Sequence, residues 1–131
     1  MKPEAVSYLE KAQPLLGEAE AIFGIYLNEA AGRTAYLAGF HAAQAFIFEH
    51  TDKTPKTHSG VHTEFLRLTK DDPRLDPDLR AYLSQSYNIK AIADYETGPG
   101  SKVSSARATA TIEGGKRFVA RIAELLTNDH A

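Results

Sequence analysis

The segment from residue 34 to residue 48 contains no Asp, Glu, Lys or Arg. If it is helical, apolar side chains lie on all of its sides, with Ala38, Ala45 and Phe48 on one and Tyr36, Phe40 and Ile47 on another. Such a helix has to be covered on most sides, because a large exposed apolar patch favours association. The segment therefore predicts a helix over about Glu29 to His50 that is either the centre of a bundle or part of a subunit interface.

Apolar residues at helical spacing predict a long first helix before this segment, with a stripe that runs from Tyr8 to Leu27. Pro3 suits the opening turn of a helix, whereas Pro14 indicates a kink or a restart. After a connection over Thr51 to Thr57, a short third helix is marked by Val61, Phe65 and Leu68.

Two more helices are indicated in the second half of the chain. The fourth ends near Tyr95, because Gly98-Pro99-Gly100 stops it. The last contains Gly114-Gly115, which indicates a close contact or a bend, since each glycine costs about 1 kcal/mol relative to alanine. Four long helices and one short helix, with no strand pattern, predict an all-α bundle in a single domain over residues 1–131.

Composition limits the function classes. The chain has no cysteine, so disulfides, thiolate metal sites and a cysteine nucleophile are excluded. Its net charge of -2 provides no overall basic field for coating nucleic acid, although a local basic site is compatible with it. No segment has the length and apolarity of a signal peptide or a membrane span, so we expect a cytoplasmic protein without membrane contact. Nucleophile-elbow, P-loop and dinucleotide motifs are absent from the sequence.

Histidine titrates near neutral pH, so the histidines are the first candidates for chemistry. His41 stands in the middle of the charge-free segment. It is either a buried histidine hydrogen-bonded to a neighbouring helix or part of a polar site between helices. His58 and His62 are four residues apart and would share a helix face, as a metal pair does, but no third ligand is evident and we assign no metal. A role at the start of the helix is the alternative, with Thr57 or Ser59 as the cap.

The fourth helix carries a polar set of its own. Tyr87, Lys90 and Asp94 line up on one side of it. A lysine and an aspartate four residues apart most often form a surface salt bridge, which is the alternative to a functional site here.

Three stretches together resemble a small-protein branch of the HEPN (higher eukaryote and prokaryote nucleotide-binding) superfamily. They are Arg33-Thr-Ala-Tyr-Leu-Ala-Gly-Phe-His-Ala-Ala43, Lys56-Thr-His-Ser-Gly-Val61 and Lys90-Ala-Ile-Ala-Asp-Tyr95. The resemblance spans nearly the whole chain, and it implies an antiparallel bundle of four main helices with an extra short one, usually as a homodimer. Many relatives are metal-independent endoribonucleases that act as toxins, with a small nucleotidyltransferase as the antitoxin.

In those ribonucleases, the resemblance implies, an arginine and a histidine separated by four to six residues act together on RNA phosphate. This sequence departs from that spacing, because seven residues separate Arg33 from His41, and the positions are about 80° apart on an ideal helix. Lysine also stands at position 90, where the branch commonly has arginine. Whether the chain is an enzyme is therefore left open.

Three hypotheses follow. In the first, a HEPN dimer without a cofactor binds a nucleotide or RNA phosphate and works with a partner such as a nucleotidyltransferase antitoxin. Phosphate contacts would come from Arg33, Lys56 and Lys90, with Asp94 orienting a cation, Tyr95 completing the site, and His41 and His58 as polar anchors. In the second, the chain is a metal-independent toxin endoribonuclease with His41 and His58 as catalytic residues. In the third, it is a non-catalytic helical adaptor.

Overall fold

The computed structural model describes the backbone of residues 1–130 and the side chains of residues 1–128. Five α-helices follow one another: α1 (Pro3–Gly24), α2 (Asn28–Thr51), α3 (His58–Leu68), α4 (Pro77–Tyr95) and α5 (Ser105–His130), with a short 3-10 turn over Gly98–Ser101 before α5. These residues contain no strand. The predicted all-α bundle of four long helices and one short helix is confirmed. None of the described helices is both long enough and apolar enough to cross a bilayer.

Helix α2 is the centre of the bundle and packs against α1, α3, α4 and α5. Tyr36 and Ala45 on opposite sides of it are both completely buried. Only a narrow stripe of its charge-free segment is half-buried, at Leu37, His41, Gln44 and Phe48. Of the two predictions for this helix, the central position in a bundle is therefore correct, because other helices of the same chain cover it.

Small residues bring α1 close to α2. Ala5, Ala12 and Ala19 of α1 are completely buried. The helix continues through Pro14, so the predicted restart is wrong. Pro14 lies on the exposed side of α1, while the opposite side is held against α2, and this packing maintains the helix across the proline.

Helix α1 ends earlier than its apolar stripe does. Its last residue is Gly24, and Ile25, Tyr26 and Leu27 form an exposed turn into α2. Tyr26 has a left-handed backbone with φ 67° and is 88% exposed. The prediction that Tyr26 and Leu27 extend the buried stripe is therefore wrong, because the chain has to reverse direction at this point.

Helices α2, α4 and α5 meet at the ring of Tyr82. A Cβ atom added to Gly39 of α2 would lie 2.7 Å from this ring, and one added to Gly114 of α5 would lie 3.0 Å from it. The Tyr82 hydroxyl donates a hydrogen bond of 2.9 Å to the carbonyl of Thr111. The close contact predicted at Gly114-Gly115 is confirmed, and it sets the distance between α4 and α5.

Helix α3 begins at His58 because Thr57 caps it. The Thr57 side-chain oxygen accepts a hydrogen bond of 3.0 Å from the amide of Gly60. Of the two predicted caps, Thr57 and Ser59, Thr57 is therefore the one that caps α3. Gly60 lies so close to Pro55 that a Cβ atom would be 2.8 Å from the proline ring. The start of α3 is therefore fixed in place, and His58 with it.

Candidate functional site

Two histidines of α3 bind one buried tyrosine of α2. The hydroxyl of Tyr36 lies 2.7 Å from Nδ1 of His58 and 2.8 Å from Nε2 of His62. The four-residue spacing of the two histidines places both imidazoles on the side of α3 that faces α2. Tyr36 is 0% exposed, while both histidines are half-buried. We call Tyr36, His58 and His62 the histidine–tyrosine cluster.

The surroundings of this cluster favour the neutral form of each member. Burial raises the pKa of Tyr36, and the nearby Tyr87 adds to the effect, so the phenol keeps its proton at neutral pH. Burial also lowers the pKa of His62, with a further contribution from His58. The ring of Tyr87 packs 5.5 Å from that of His58 and 5.6 Å from that of His62, which shields this side of the cluster.

A second group lies beside it and joins α2 to α4. Asp94 accepts a hydrogen bond of 2.7 Å from Nε of Arg33 and one of 2.5 Å from Nζ of Lys90. These two bonds, with that of Lys90 the stronger, hold the pKa of Asp94 below its usual range. We call Arg33, Lys90 and Asp94 the cationic cluster, because it contains two positive charges and one negative charge.

Lys90 is only 8% exposed, so it does not form the surface salt bridge that was the alternative prediction. Its ammonium group lies 5.8 Å from the ring centre of Tyr87 and 5.7 Å from that of Tyr95. Both aromatic rings stabilise the partly desolvated charge. The result is a cation fixed at one position next to the surface.

His58 connects the two clusters. Burial lowers its pKa, and the charges of Lys90, His41 and Arg33 lower it further, while Asp94 acts in the opposite direction. These groups are thus close enough to His58 to act on the same imidazole. A neutral imidazole beside fixed cations can accept a proton near a bound phosphate.

His41 lies on the half-buried stripe of α2. Its Nδ1 is 2.7 Å from the side-chain oxygen of Gln44 on the same helix, so the predicted hydrogen bond to a neighbouring helix is wrong. The ring of Phe40 packs against both histidines, at 5.6 Å from His41 and 4.4 Å from His58. Burial lowers the pKa of His41 and Lys11 of α1 lowers it further, while the hydrogen bond with Gln44 acts in the opposite direction.

The structure brings together most of the residues that the sequence singled out, namely Arg33, His41, His58, Lys90, Asp94 and Tyr95. Lys56 is the exception. Its side chain is exposed and forms no hydrogen bond or ion pair with any residue whose side chain the structure describes. That these residues bind a ligand stays a prediction.

Sequence reasoning missed Tyr36 and underrated His62. The charge-free segment predicts Tyr36 as part of the apolar surface of α2, and the four-residue spacing predicts His62 either as a metal ligand or as part of the start of α3. A usable signal was present, because a phenol in a fully buried segment needs a hydrogen-bond partner and two histidines one turn apart can supply it. Among the residues that the structure describes, no three His, Cys, Asp or Glu side chains are arranged to hold a metal ion.

No known family model matches the chain, so the HEPN resemblance stays a prediction. Two curated proteins of Methanocaldococcus jannaschii are similar to it. One, named "Putative toxin MJ0142", is 28% identical over 95 residues, which is 72% of this chain and 64% of that protein. The other, named "Putative toxin MJ0605", is 29% identical over 126 residues, which is 96% of this chain and 91% of that protein. The chain is therefore similar, over most of its length, to proteins that are named as toxins.

Proposed function

We propose that this chain is a toxin of the HEPN type and that it binds an RNA phosphate at the cationic cluster. The names of the two relatives support the toxin assignment. One observation supports the phosphate assignment above all: Arg33 and Lys90 share the single carboxylate of Asp94, which leaves one positive charge without a counter-ion among the described residues. A bound phosphate would supply that negative charge. Arg33 and Lys90 are the phosphate-binding residues in this proposal, and Asp94 orients both of them.

The two cations are suited to different tasks. Lys90 is buried and fixed, so it acts as a point charge behind the phosphate. The side chain of Arg33 is 42% exposed, and its guanidinium has further N–H donors besides the Nε that binds Asp94. Arg33 can therefore bind a phosphate oxygen without releasing Asp94. Tyr95, which is mostly exposed, offers a ring on which a base can stack.

Binding of a fluorescently labelled single-stranded RNA, measured by anisotropy at several salt concentrations, tests this proposal. We expect Arg33→Gln and Lys90→Met to weaken binding and to reduce the salt slope by about 0.7 for each lost phosphate contact. Lys116→Gln is the matched control, because Lys116 pairs with Glu20 and Glu113 away from the cluster. Equal affinities of wild type and Arg33→Gln would refute the proposal, and no RNA binding by the wild type would favour the adaptor hypothesis.

A second candidate function is metal-independent cleavage of RNA, and the neutral state of His58 favours it. His58 would take the proton of a ribose 2′-hydroxyl, whose oxygen attacks the adjacent phosphorus while the bond to the 5′-oxygen breaks. Arg33 and Lys90 would stabilise the charge that builds up on the phosphate oxygens. His41, whose charge acts on the His58 imidazole, is the candidate donor of a proton to the leaving oxygen.

The proposal also includes protein partners. An antitoxin, of the nucleotidyltransferase type in the HEPN resemblance, would neutralise the toxin, and a second copy of the chain would form a homodimer. The open reading frames beside the gene and copurification of their products test the first. Light scattering after size-exclusion chromatography tests the second, and a monomer mass at all concentrations would contradict the homodimer.

A further inference from the structure

The hydroxyl of Tyr36 has one proton and two imidazole neighbours. It can donate to one of them and accept from the other, but it cannot donate to both. Since it is completely buried, and its two hydrogen bonds within the described part of the chain are those to His58 and His62, its proton has no other acceptor nearby. The Nδ1 of His58 and the Nε2 of His62 therefore have to differ, one with a proton and the other without.

We propose that Tyr36 is a positioning residue that couples the protonation of His58 and His62, so that the pair takes up one extra proton and holds it on His62. The inference rests on the proposed function in one respect, namely that His58 is the imidazole that exchanges protons with substrate. The hydrogen bonds that carry it are a property of the free protein.

A second extra proton is disfavoured by the geometry. If both imidazoles were protonated, both facing nitrogens would donate to the Tyr36 oxygen, and the phenol proton would be left without an acceptor in a buried site. Two positive rings would also face each other across one oxygen atom. The pair should therefore titrate in two steps that are well separated, as strongly interacting groups do.

The charged and titratable groups around the pair determine which ring holds the first proton. Those that face His58 come from α2 and α4 and are Arg33, His41, Tyr87, Lys90 and Asp94. The positive charges among them outnumber Asp94. His62 faces Tyr36, Tyr87 and His58, and burial is the main cause that lowers its pKa, with a further contribution from His58. Burial opposes a positive charge on both rings, whereas Arg33 and Lys90 repel such a charge at His58, so we place the first extra proton on His62.

The hydrogen bonds provide a path for this transfer. Suppose that Nε2 of His58 takes a proton from substrate while its Nδ1 already carries one. The Nδ1 proton then passes to the Tyr36 oxygen, and the phenol proton passes to Nε2 of His62. His58 ends neutral with its proton on Nε2, Tyr36 is unchanged, and His62 carries the charge, so one proton has moved with no water molecule involved.

Nitrogen-15 NMR of the wild-type protein without RNA tests the coupling directly, because ¹⁵N shifts distinguish protonated from bare imidazole nitrogens. Above both titration steps, we expect Nδ1 of His58 and Nε2 of His62 to share one proton between them. On lowering the pH, His62 should take up the first extra proton, and the second step should lie more than about 1 pH unit lower. The proposal would be overturned if Nδ1 of His58 and Nε2 of His62 were both unprotonated above the two titration steps, or if both extra protons were taken up in one step.

Tyr36→Phe removes the shared hydroxyl while keeping the ring, and it should bring the two steps closer together. Tyr87→Phe is the matched control, since the Tyr87 ring packs against the same two imidazoles while its hydroxyl forms no hydrogen bond with any described residue, and this variant should keep the wild-type separation. An unchanged separation in Tyr36→Phe would also overturn the proposal. If the coupling is found but no RNA is bound, the proposed function fails while this inference stands.

Discussion

Lys90 and Asp94 form an ion pair with a distance of 2.5 Å in which the lysine is almost fully buried. Removing the carboxylate would leave a partly desolvated ammonium group without its counter-ion. We expect Asp94→Asn to lower the free energy of unfolding by about 1–2 kcal/mol, less than for a fully buried pair, because the Asp94 side chain is 22% exposed.

Urea unfolding followed by circular dichroism measures this change. Glu113→Gln is the control, because Glu113 forms an exposed ion pair with Lys116 within α5 and its loss should have little effect. If the two variants are equally stable, Lys90 does not depend on Asp94 for its charge balance.

The second prediction concerns the glycines around Tyr82. A Cβ atom at Gly115 would lie 2.7 Å from the Tyr82 hydroxyl, so Gly115→Ala should displace that group and weaken its buried hydrogen bond to Thr111. Overpacking should cost about 1–3 kcal/mol, although alanine by itself favours a helix by about 1 kcal/mol.

Gly17→Ala is a control of identical chemistry, because a Cβ atom at Gly17 in α1 meets nothing within 4 Å. It should raise the melting temperature, whereas Gly115→Ala should lower it. Combining Gly115→Ala with Tyr82→Phe, which removes the clashing oxygen, should cost less than the sum of the two single changes. Strict additivity in this double-mutant cycle would count against the proposed clash.

The third prediction concerns stability at acidic pH. Burial lowers the pKa of His41, His58 and His62 in the folded protein, whereas each returns to about 6.5 on unfolding. The unfolded chain therefore binds more protons below pH 6.5, so the stabilisation is complete above that pH and is lost as the pH falls. Asp94 contributes nothing to this change above about pH 5, because its lowered pKa matters only below the ordinary carboxylate range.

Urea midpoints at pH 7.5 and pH 5.5 measure the effect, and the wild type should be less stable at pH 5.5. In His62→Gln the difference between the two midpoints should be smaller, since one of the three groups no longer titrates. A wild type with the same midpoint at both pH values would show that the three histidines protonate equally easily in the folded and unfolded chain.

The fourth prediction concerns RNA cleavage. With His58 as the base and His41 as the acid, the rate should rise with pH as His58 loses its proton and fall as His41 does so. Because both pKa values are lowered, the maximum should lie below pH 6.5. Cleavage should persist in EDTA, and His58→Ala should reduce it by about 10²-fold or more.

Gel analysis of a labelled RNA over pH 5 to 8 provides the measurement. His50→Ala is a control histidine, since its ring binds the Phe46 carbonyl at the far end of α2. A rate that does not fall above pH 6.5 would remove His41 from the mechanism, and full activity of His58→Ala would exclude His58 as the base.

The sequence predicts the fold well, because the charge-free segment has to be covered on most sides and the other four helices of the chain are able to cover it. It also predicts which of the polar residues of α4 share a side, since Lys90 and Asp94 are one helical turn apart. It does not predict that Arg33 reaches Asp94 from another helix, because contacts between helices depend on how α2 and α4 cross. The sequence indicates that the buried phenol of Tyr36 needs a hydrogen-bond partner, but the pairing itself depends on the helix packing, because both partners lie on another helix, 22 and 26 residues away.

Helix α2 supplies Arg33, Tyr36, Phe40 and His41 to the candidate site, and the same helix is packed on nearly all sides by the rest of the chain. Inserting a single residue between Arg33 and His41 would turn everything beyond it by about 100° relative to Arg33. A surface loop can accommodate an inserted residue by changing its own conformation, but a helix packed on nearly all sides cannot. The chain can therefore vary this site by exchanging side chains, whereas altering the spacing between them would require a different fold.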